Sequence, residues 1–188
     1  MGSNCGTDHG AAFWINLEPC GLICGFMTWF LVFFAMYTTT TCIIIPWLGF
    51  GLHAWIHIIT FNSLCVMSIY AHWRAMTTDP GAVPKDAKPL PSDAEEFDAE
   101  DNYDNGKARN AQKYRKFCKR CRSFKPSRAH HCSLCNRCII KMDHHCPWVN
   151  NCIGLGNHKL FLLFIFWINI ISGYALILII LKHFFCSL

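Results

Sequence analysis

The sequence contains one long uncharged run, residues 19–73, which reads PCGLICGFMTWFLVFFAMYTTTTCIIIPWLGFGLHAWIHIITFNSLCVMSIYAHW. These 55 residues include no Asp, Glu, Lys or Arg, and a second uncharged run of 22 residues lies between Lys159 and Lys182. A soluble domain must cover most of its surface with polar groups, which such runs cannot supply. The hydrophobic share of 53% in 188 residues also excludes a disordered chain. The sequence therefore predicts an integral membrane protein.

The two uncharged runs divide into three segments that are long enough to cross a bilayer. A helix needs roughly 20 apolar residues to span about 30 Å of hydrocarbon. Residues 20–45, 51–70 and 160–181 reach this length, and Pro46 with Gly49 and Gly51 predicts a tight turn between the first two. The alternative is one long crossing followed by an interfacial segment. We favour two helices, because a loop in lipid would leave backbone polar groups unpaired.

The distribution of basic residues predicts the orientation of these helices. Of the 17 Lys and Arg, 16 lie from Arg74 to Lys159, which places this segment in the cytosol by the positive-inside rule. Three crossings then leave the N-terminus in the cytosol and residues 182–188 on the opposite side. We expect a multi-pass protein of an endomembrane (Golgi or ER) or of the plasma membrane.

Composition divides the chain into six segments. We expect a cytosolic N-terminus (1–19), a two-helix transmembrane hairpin (20–73), a cytosolic linker (74–117), a cysteine-rich domain (118–159), a third transmembrane helix (160–181) and a short C-terminal end (182–188). Residues 91–104 carry seven acids and no base, whereas Lys107 to Lys141 include 12 Lys and Arg and no acid. Beside a membrane, such a basic block favours lipid headgroups or a phosphorylated cofactor over nucleic acid.

Seven of the 13 cysteines lie within residues 118–152. Cys118 and Cys121 form one C-x2-C pair, Cys132 and Cys135 form another, and several histidines lie nearby. A cytosolic location argues against disulfides, whereas paired thiols with interspersed histidines have the spacing of zinc ligands. Two four-coordinate sites with three Cys and one His each would use six cysteines, so that one thiol remains.

Cys146 is our candidate for the remaining thiol, because it follows Asp143, His144 and His145 directly. A nucleophilic cysteine needs a base that forms its thiolate, and a carboxylate can hold that base in the right tautomer. In an extended segment, His144 and Cys146 share a face, while His145 points away and is free to bind metal. The alternative makes Cys146 a redundant zinc ligand or a buried thiol.

This region resembles the DHHC-type protein S-acyltransferases (palmitoyltransferases). The cysteine-rich pattern of that family is matched at Cys118, Cys121, His131, Cys132, Cys135, Cys138, Asp143, His144, His145, Cys146, Cys152, Asn157 and Phe161. Asp79-Pro80-Gly81, after the second predicted crossing, also resembles a short motif of the family. The fold class that we predict is all-α integral membrane, with three transmembrane helices and a small, loop-rich cytosolic domain that binds two zinc ions.

The resemblance implies a role for individual residues. It implies that Cys146 becomes acylated, that His144 is its general base and that Asp143 orients His144. It also implies two structural Zn²⁺ sites, which comprise Cys118, Cys121, His131 and Cys138 in the first and Cys132, Cys135, His145 and Cys152 in the second.

The implied activity is protein S-palmitoylation. A long-chain acyl group from acyl-CoA, such as palmitoyl-CoA, would pass to Cys146 and then to membrane-proximal cysteines of cytosol-facing proteins. The expected partners are membrane lipid, acyl-CoA and these substrate proteins, without nucleic acid. Members of the family usually have four crossings and this chain ends seven residues past its third, so we expect a truncated member. The alternative is therefore a catalytically weak, zinc-binding membrane adaptor that binds client proteins.

Overall fold

A computed structural model of the chain describes residues 6–11, 13–88 and 117–186. The acidic stretch of residues 91–104, and the basic stretch as far as residue 116, lie outside the described residues. Contacts divide the chain into two compact units. The cysteine-rich unit comprises Met1–Glu18, Thr77–Cys146 and Asn151–His158, and the helical unit comprises Pro19–Met76, Pro147–Asn150 and Lys159–Leu188.

In the part of the chain that the structure describes, three helices are long and apolar enough to span a membrane, which confirms the predicted fold class. The first runs from Pro19 to Leu48 and consists of α1 (Pro19–Thr38), a π-helical segment (Thr39–Ile44) and α2 (Ile45–Leu48). The second is α3 (Leu52–Thr77) and the third is α4 (His158–Cys186).

The turn between the first two long helices is shorter than the sequence predicted. Pro46 lies within the helix that ends at Leu48, and Gly49 has a φ of +65° in the turn that follows. A proline is tolerated in the first turn of a helix, where its missing N–H is not needed. Pro46 has this position in α2, directly after the π-helical segment. The chain therefore reverses direction within residues 49–51.

The helical unit is held together by small apolar clusters, while most of its large side chains are exposed. One cluster joins the three long helices through Val32, Phe61, Cys65 and Ile171. A second consists of Ile44, Ala54 and Leu178. Exposed side chains such as Phe26, Phe30 and Leu176 make the exterior of these helices largely apolar, as lipid requires.

The cysteine-rich unit contains three antiparallel hairpins of two or three residues per strand. They pair β1 (Phe117–Cys118) with β2 (Ser123–Phe124), β3 (His130–Cys132) with β4 (Arg137–Ile139), and β5 (His144–Cys146) with β6 (Asn151–Ile153). Isolated hairpins of this length are not stable in water. Cysteines form much of the buried core of this unit instead, together with side chains such as Trp14 and Ile139.

The Asp79-Pro80-Gly81 motif forms a turn in the cysteine-rich unit. The Asp79 carboxylate accepts the backbone N–H groups of Gly81 at 2.8 Å and Ala82 at 2.7 Å, and Gly81 has a φ of +100°. The Gly81 carbonyl accepts the Ile140 N–H at 2.8 Å, directly after β4. A Cβ added to Gly156 would collide with the carbonyl of Asp79. The motif therefore supports the hairpins that carry the cysteines.

Candidate metal and nucleophile site

Two groups of three thiols and one imidazole lie in the described part of the cysteine-rich unit. Cluster 1 comprises Cys118, Cys121, His131 and Cys138, and cluster 2 comprises Cys132, Cys135, His145 and Cys152. Within each cluster, one atom from every side chain lies within 4.8 Å of the others. These are the same two sets of four residues that the resemblance implies.

The hairpin register explains why the two clusters alternate along the chain. His131 lies opposite Cys138 in the β3–β4 pair, and His145 lies opposite Cys152 in the β5–β6 pair. Neighbouring residues in a strand point to opposite faces. His131 and Cys132 therefore face different clusters, although they are adjacent in the sequence.

Short contacts within each cluster have the geometry of a four-coordinate site. In cluster 1, His131 Nδ1 lies 3.1 Å from the sulfur of Cys121. In cluster 2, His145 Nδ1 lies 3.5–3.6 Å from all three sulfurs, and the sulfurs of Cys135 and Cys152 are 3.5 Å apart. The Cys135 N–H also donates to the Cys132 sulfur at 3.4 Å. Tetrahedral Zn²⁺ with Zn–S bonds of about 2.3 Å requires such spacing, and this donor set fits it.

The pKa values of the cluster 2 thiols also favour a bound cation. Hydrogen bonds from Cys135 and Cys152 lower the pKa of Cys132, so that its thiolate forms first. Donation to Cys132 raises the pKa of Cys135 to about 12, and it raises the pKa of Cys152 as well. Three thiolates this close repel one another, and a bound divalent cation would stabilise all three.

Among the described residues, Cys146 is the cysteine of segment 118–152 that belongs to neither cluster. It ends β5, is 7% exposed and lies opposite Asn151. Strand alternation places His144 on the same face as Cys146, and His145 on the face of cluster 2. His144 Nδ1 lies 3.1 Å from the Asp143 carboxylate, and both side chains are exposed. The carboxylate of Asp143, the imidazole of His144 and the thiol of Cys146 therefore lie within four consecutive residues.

Asn157 stabilises the loop that follows cluster 2. Its side chain is fully buried, accepts the Gly154 N–H at 3.0 Å and donates to the Cys152 carbonyl at 2.8 Å. Asn157 is one of the residues that match the family pattern, and the resemblance implied no specific role for it. Its hydrogen bonds indicate a structural role.

The N-terminal residues contact cluster 2, which the sequence reasoning did not anticipate. Trp14 is 1% exposed and packs among Cys132, Cys135 and Cys152. The Asn16 amide donates to the Cys135 sulfur at 3.8 Å, although 119 positions separate the two residues. Neither contact has a signal in the sequence, because no periodicity or spacing connects such distant positions.

Known proteins are similar in sequence to this region and to its flanking helices. The sequence model described as DHHC palmitoyltransferase matches residues 111–186. Palmitoyltransferase ZDHHC3-A of Danio rerio is 40% identical over 179 residues, which cover 95% of this chain and 53% of that protein. Palmitoyltransferase ZDHHC3 of Homo sapiens is 42% identical over 166 residues, 88% of this chain and 52% of that protein. Palmitoyltransferase ZDHHC7 of Mus musculus is 39% identical over 180 residues, which cover 96% of this chain and 54% of that protein. The chain spans about half the length of the curated relatives that it matches.

Proposed function

This chain belongs to the DHHC palmitoyltransferase family, and from that premise we propose that it is a protein S-acyltransferase. It takes a long-chain acyl group, typically palmitoyl, from acyl-CoA onto Cys146. It then passes this group to cysteine thiols of cytosol-facing proteins. Asp143 and His144 assist both steps, and each Cys/His cluster holds one structural zinc ion.

The position of Cys146 carries this proposal. Clusters 1 and 2 together use six of the seven cysteines of residues 118–152, and Cys146 is the seventh. A closed structural zinc site has no use for a further thiol. Cys146 also follows a hydrogen-bonded pair of Asp143 and His144, which is the usual arrangement for activating a thiol.

In the first step, the Cys146 thiolate attacks the carbonyl carbon of the acyl-CoA thioester. His144 holds the proton that it removed from the Cys146 thiol. The bond between the carbonyl carbon and the CoA sulfur then breaks, and CoA leaves with this proton. Asp143, which contacts Nδ1 of His144 at 3.1 Å, keeps Nε2 available for proton transfer and stabilises the imidazolium.

In the second step, His144 accepts the proton of a substrate thiol, whose sulfur attacks the acyl carbonyl on Cys146. The bond from the carbonyl carbon to Cys146 breaks, and the Cys146 sulfur receives the proton from His144. One thioester replaces another in each step, so the reaction needs no ATP. The residues contribute orientation and proton transfer.

Zinc bound at the two clusters would neutralise the crowded thiolates and hold the three hairpins together. The ligands would be the eight residues of clusters 1 and 2. Because β5 carries both His145 and Cys146, a metal at cluster 2 would hold the strand that ends in the nucleophile.

Substrates are proposed from the orientation of the chain. With the basic segment in the cytosol, the cysteine-rich unit meets cytosol-facing proteins of an endomembrane or the plasma membrane. Cysteines close to the membrane are the expected acceptors, because the acyl chain gains about 0.8 kcal/mol for each CH₂ that remains in lipid.

A chase experiment tests the transfer step. The chain is purified in detergent micelles, loaded with alkynyl palmitoyl-CoA and mixed with a membrane-tethered peptide that contains one cysteine. The proposal expects label to leave the chain and to appear on the peptide, whereas a peptide with Ser in place of Cys stays unlabelled. Label that stays on the chain despite excess peptide would contradict transfer and favour a membrane adaptor.

A further inference from the structure

The turn of residues 147–150, which follows Cys146 directly, packs against α1 and α3 in the helical unit. Residues Pro147–Val149 form a 3-10 helix, and the Asn150 N–H donates to the Pro147 carbonyl at 3.0 Å. Gly21 and Gly25 of α1 are both buried where this turn lies. A Cβ on Gly21 would collide with the Asn150 side chain. A Cβ on Gly25 would crowd Met76 of α3 at 3.0 Å and would lie at an ordinary contact distance of 4.0 Å from the Trp148 carbonyl. The absence of a side chain at Gly21 thus lets the turn lie close to α1.

His72 of α3 binds this turn from a second helix. Its side chain is fully buried, and its Nε2 lies 2.8 Å from the Trp148 carbonyl. Its Nδ1 lies 2.9 Å from the indole Nε1 of Trp29 in α1. Phe164 of α4 covers the ring, with 4.8 Å between the ring centroids.

These contacts determine which nitrogen of His72 carries the proton. An indole N–H only donates, so Nδ1 must accept the hydrogen bond from Trp29. The proton of the neutral imidazole therefore lies on Nε2, where it is donated to the Trp148 carbonyl. Trp29 thus orients His72, and His72 fixes a carbonyl two residues beyond Cys146.

A purely structural contact at this position would not require a histidine. Burying an imidazole is unfavourable unless both of its nitrogens are hydrogen-bonded, and an apolar side chain would fill the same space without that constraint. The Trp148 side chain itself is 52% exposed, so His72 contacts this residue through its backbone carbonyl. The hydrogen bond restricts the turn that is covalently joined to the nucleophile.

We propose that His72, oriented by Trp29, is a positioning residue for Cys146 that acts through the Trp148 carbonyl and thereby sets the rate of acyl transfer. This inference rests on the proposed function. Correct orientation of a nucleophile contributes heavily to rate, and small displacements reduce it steeply. His72 takes no part in proton transfer in this account.

The variants are His72→Leu, which removes the hydrogen bond, and His72→Gln, whose amide N–H can still donate to the Trp148 carbonyl. Trp29→Phe removes the donor that orients His72. Ser68→Ala is the matched control, because Ser68 is fully buried one turn away in α3. Each purified protein is first assayed for zinc and then for two properties of Cys146.

The first property is the single-turnover rate of acylation from palmitoyl-CoA, together with its half-saturating concentration. We expect His72→Leu to slow acylation at saturation by tenfold or more, with the half-saturating concentration within about twofold. His72→Gln recovers most of this rate, Trp29→Phe is intermediate, and Ser68→Ala matches the unmodified chain. Zinc content stays at the unmodified value in all of them.

The second property is the rate at which N-ethylmaleimide alkylates Cys146, measured on its peptide by mass spectrometry. Cys146 is 7% exposed in the intact chain, so a released turn should raise this rate several-fold in His72→Leu. This readout does not depend on acyl-CoA.

Acylation of His72→Leu at the unmodified rate would overturn the inference. The inference would also be overturned if His72→Leu and His72→Gln lost the same share of the acylation rate and both lost zinc. His72 would then serve only to maintain the fold. If the zinc-loaded, unmodified chain is not acylated, the proposed function fails. In that case the alkylation rate still tests whether His72 positions Cys146. An alkylation rate in His72→Leu equal to that of the unmodified chain would overturn this role of His72 as well.

Discussion

At the scale of single residues, the proposed acyl transfer depends on how His144 is oriented. The Asp143–His144 pair is 60% and 45% exposed, and such surface pairs contribute little to stability. We therefore expect its effect on the chemistry, because a carboxylate that accepts a hydrogen bond from Nδ1 would favour the tautomer whose Nε2 can accept a proton.

Asp143→Asn should therefore slow acylation without unfolding the chain. An amide can accept or donate, so it no longer selects one tautomer, and we expect a loss of about 10- to 100-fold in the acylation rate. The measurement is single-turnover acylation at saturating palmitoyl-CoA, with Asp86→Asn as a control at another exposed acid. A rate in Asp143→Asn equal to that of the control would remove Asp143 from the mechanism.

At the scale of elements, the short hairpins and their cysteines depend on each other. The strands are too short to pair by themselves, and the clusters exist only when the hairpins place His131 opposite Cys138 and His145 opposite Cys152. In this arrangement, binding of zinc at the clusters would be coupled to folding of the cysteine-rich unit.

The purified chain should contain two zinc ions per molecule, one for each cluster. We expect His131→Ala to retain about one ion, because three ligands hold zinc far more weakly than four. Cys146→Ser should retain both ions, since Cys146 belongs to neither cluster. Elemental analysis by mass spectrometry provides the count. Loss of an ion from Cys146→Ser would mean that Cys146 is a zinc ligand and not the nucleophile.

Gly156→Ala should destabilise the cysteine-rich unit. The new Cβ would collide with the Asp79 carbonyl, and backbone atoms cannot move away as a side-chain end can. Overpacking of this kind costs about 1–3 kcal/mol. The readout is the rate of zinc release to a chelator, which should rise, while Gly173→Ala, with open space around it, serves as the control. Equal release rates in the two variants would argue against the described turn.

At the scale of the whole chain, charge and cysteine spacing predicted most of the architecture. The absence of charge from residues 19–73 predicted two spanning helices, because lipid excludes ionised side chains whatever the details of packing. The extended Asp143–Cys146 segment predicted opposite faces for His144 and His145. The contacts of Trp14 and Asn16 with cluster 2, and of His72 with Trp148, depend on tertiary packing between distant positions, which no local pattern encodes.

The distribution of basic residues predicts that trypsin reaches the cysteine-rich unit from the cytosolic side. Between Arg74 and Lys159 lie 16 of the 17 Lys and Arg, and sealed microsomes display their cytosolic face to the medium. We expect cleavage within this segment in intact microsomes, with a luminal marker protein as the control for sealing. Protection of the segment until detergent is added would reverse the proposed orientation.

The proposed activity requires that Cys146 carries the acyl group. Its most direct measurement is a single-turnover reaction of the purified, zinc-loaded chain with palmitoyl-CoA, followed by peptide mass spectrometry and by assay of released CoA. We expect one hydroxylamine-sensitive palmitoyl thioester on the peptide that contains Cys146, CoA in equal amount, and neither product in Cys146→Ser. A thioester that forms to the same extent in Cys146→Ser, or no thioester on the zinc-loaded unmodified chain, would contradict it.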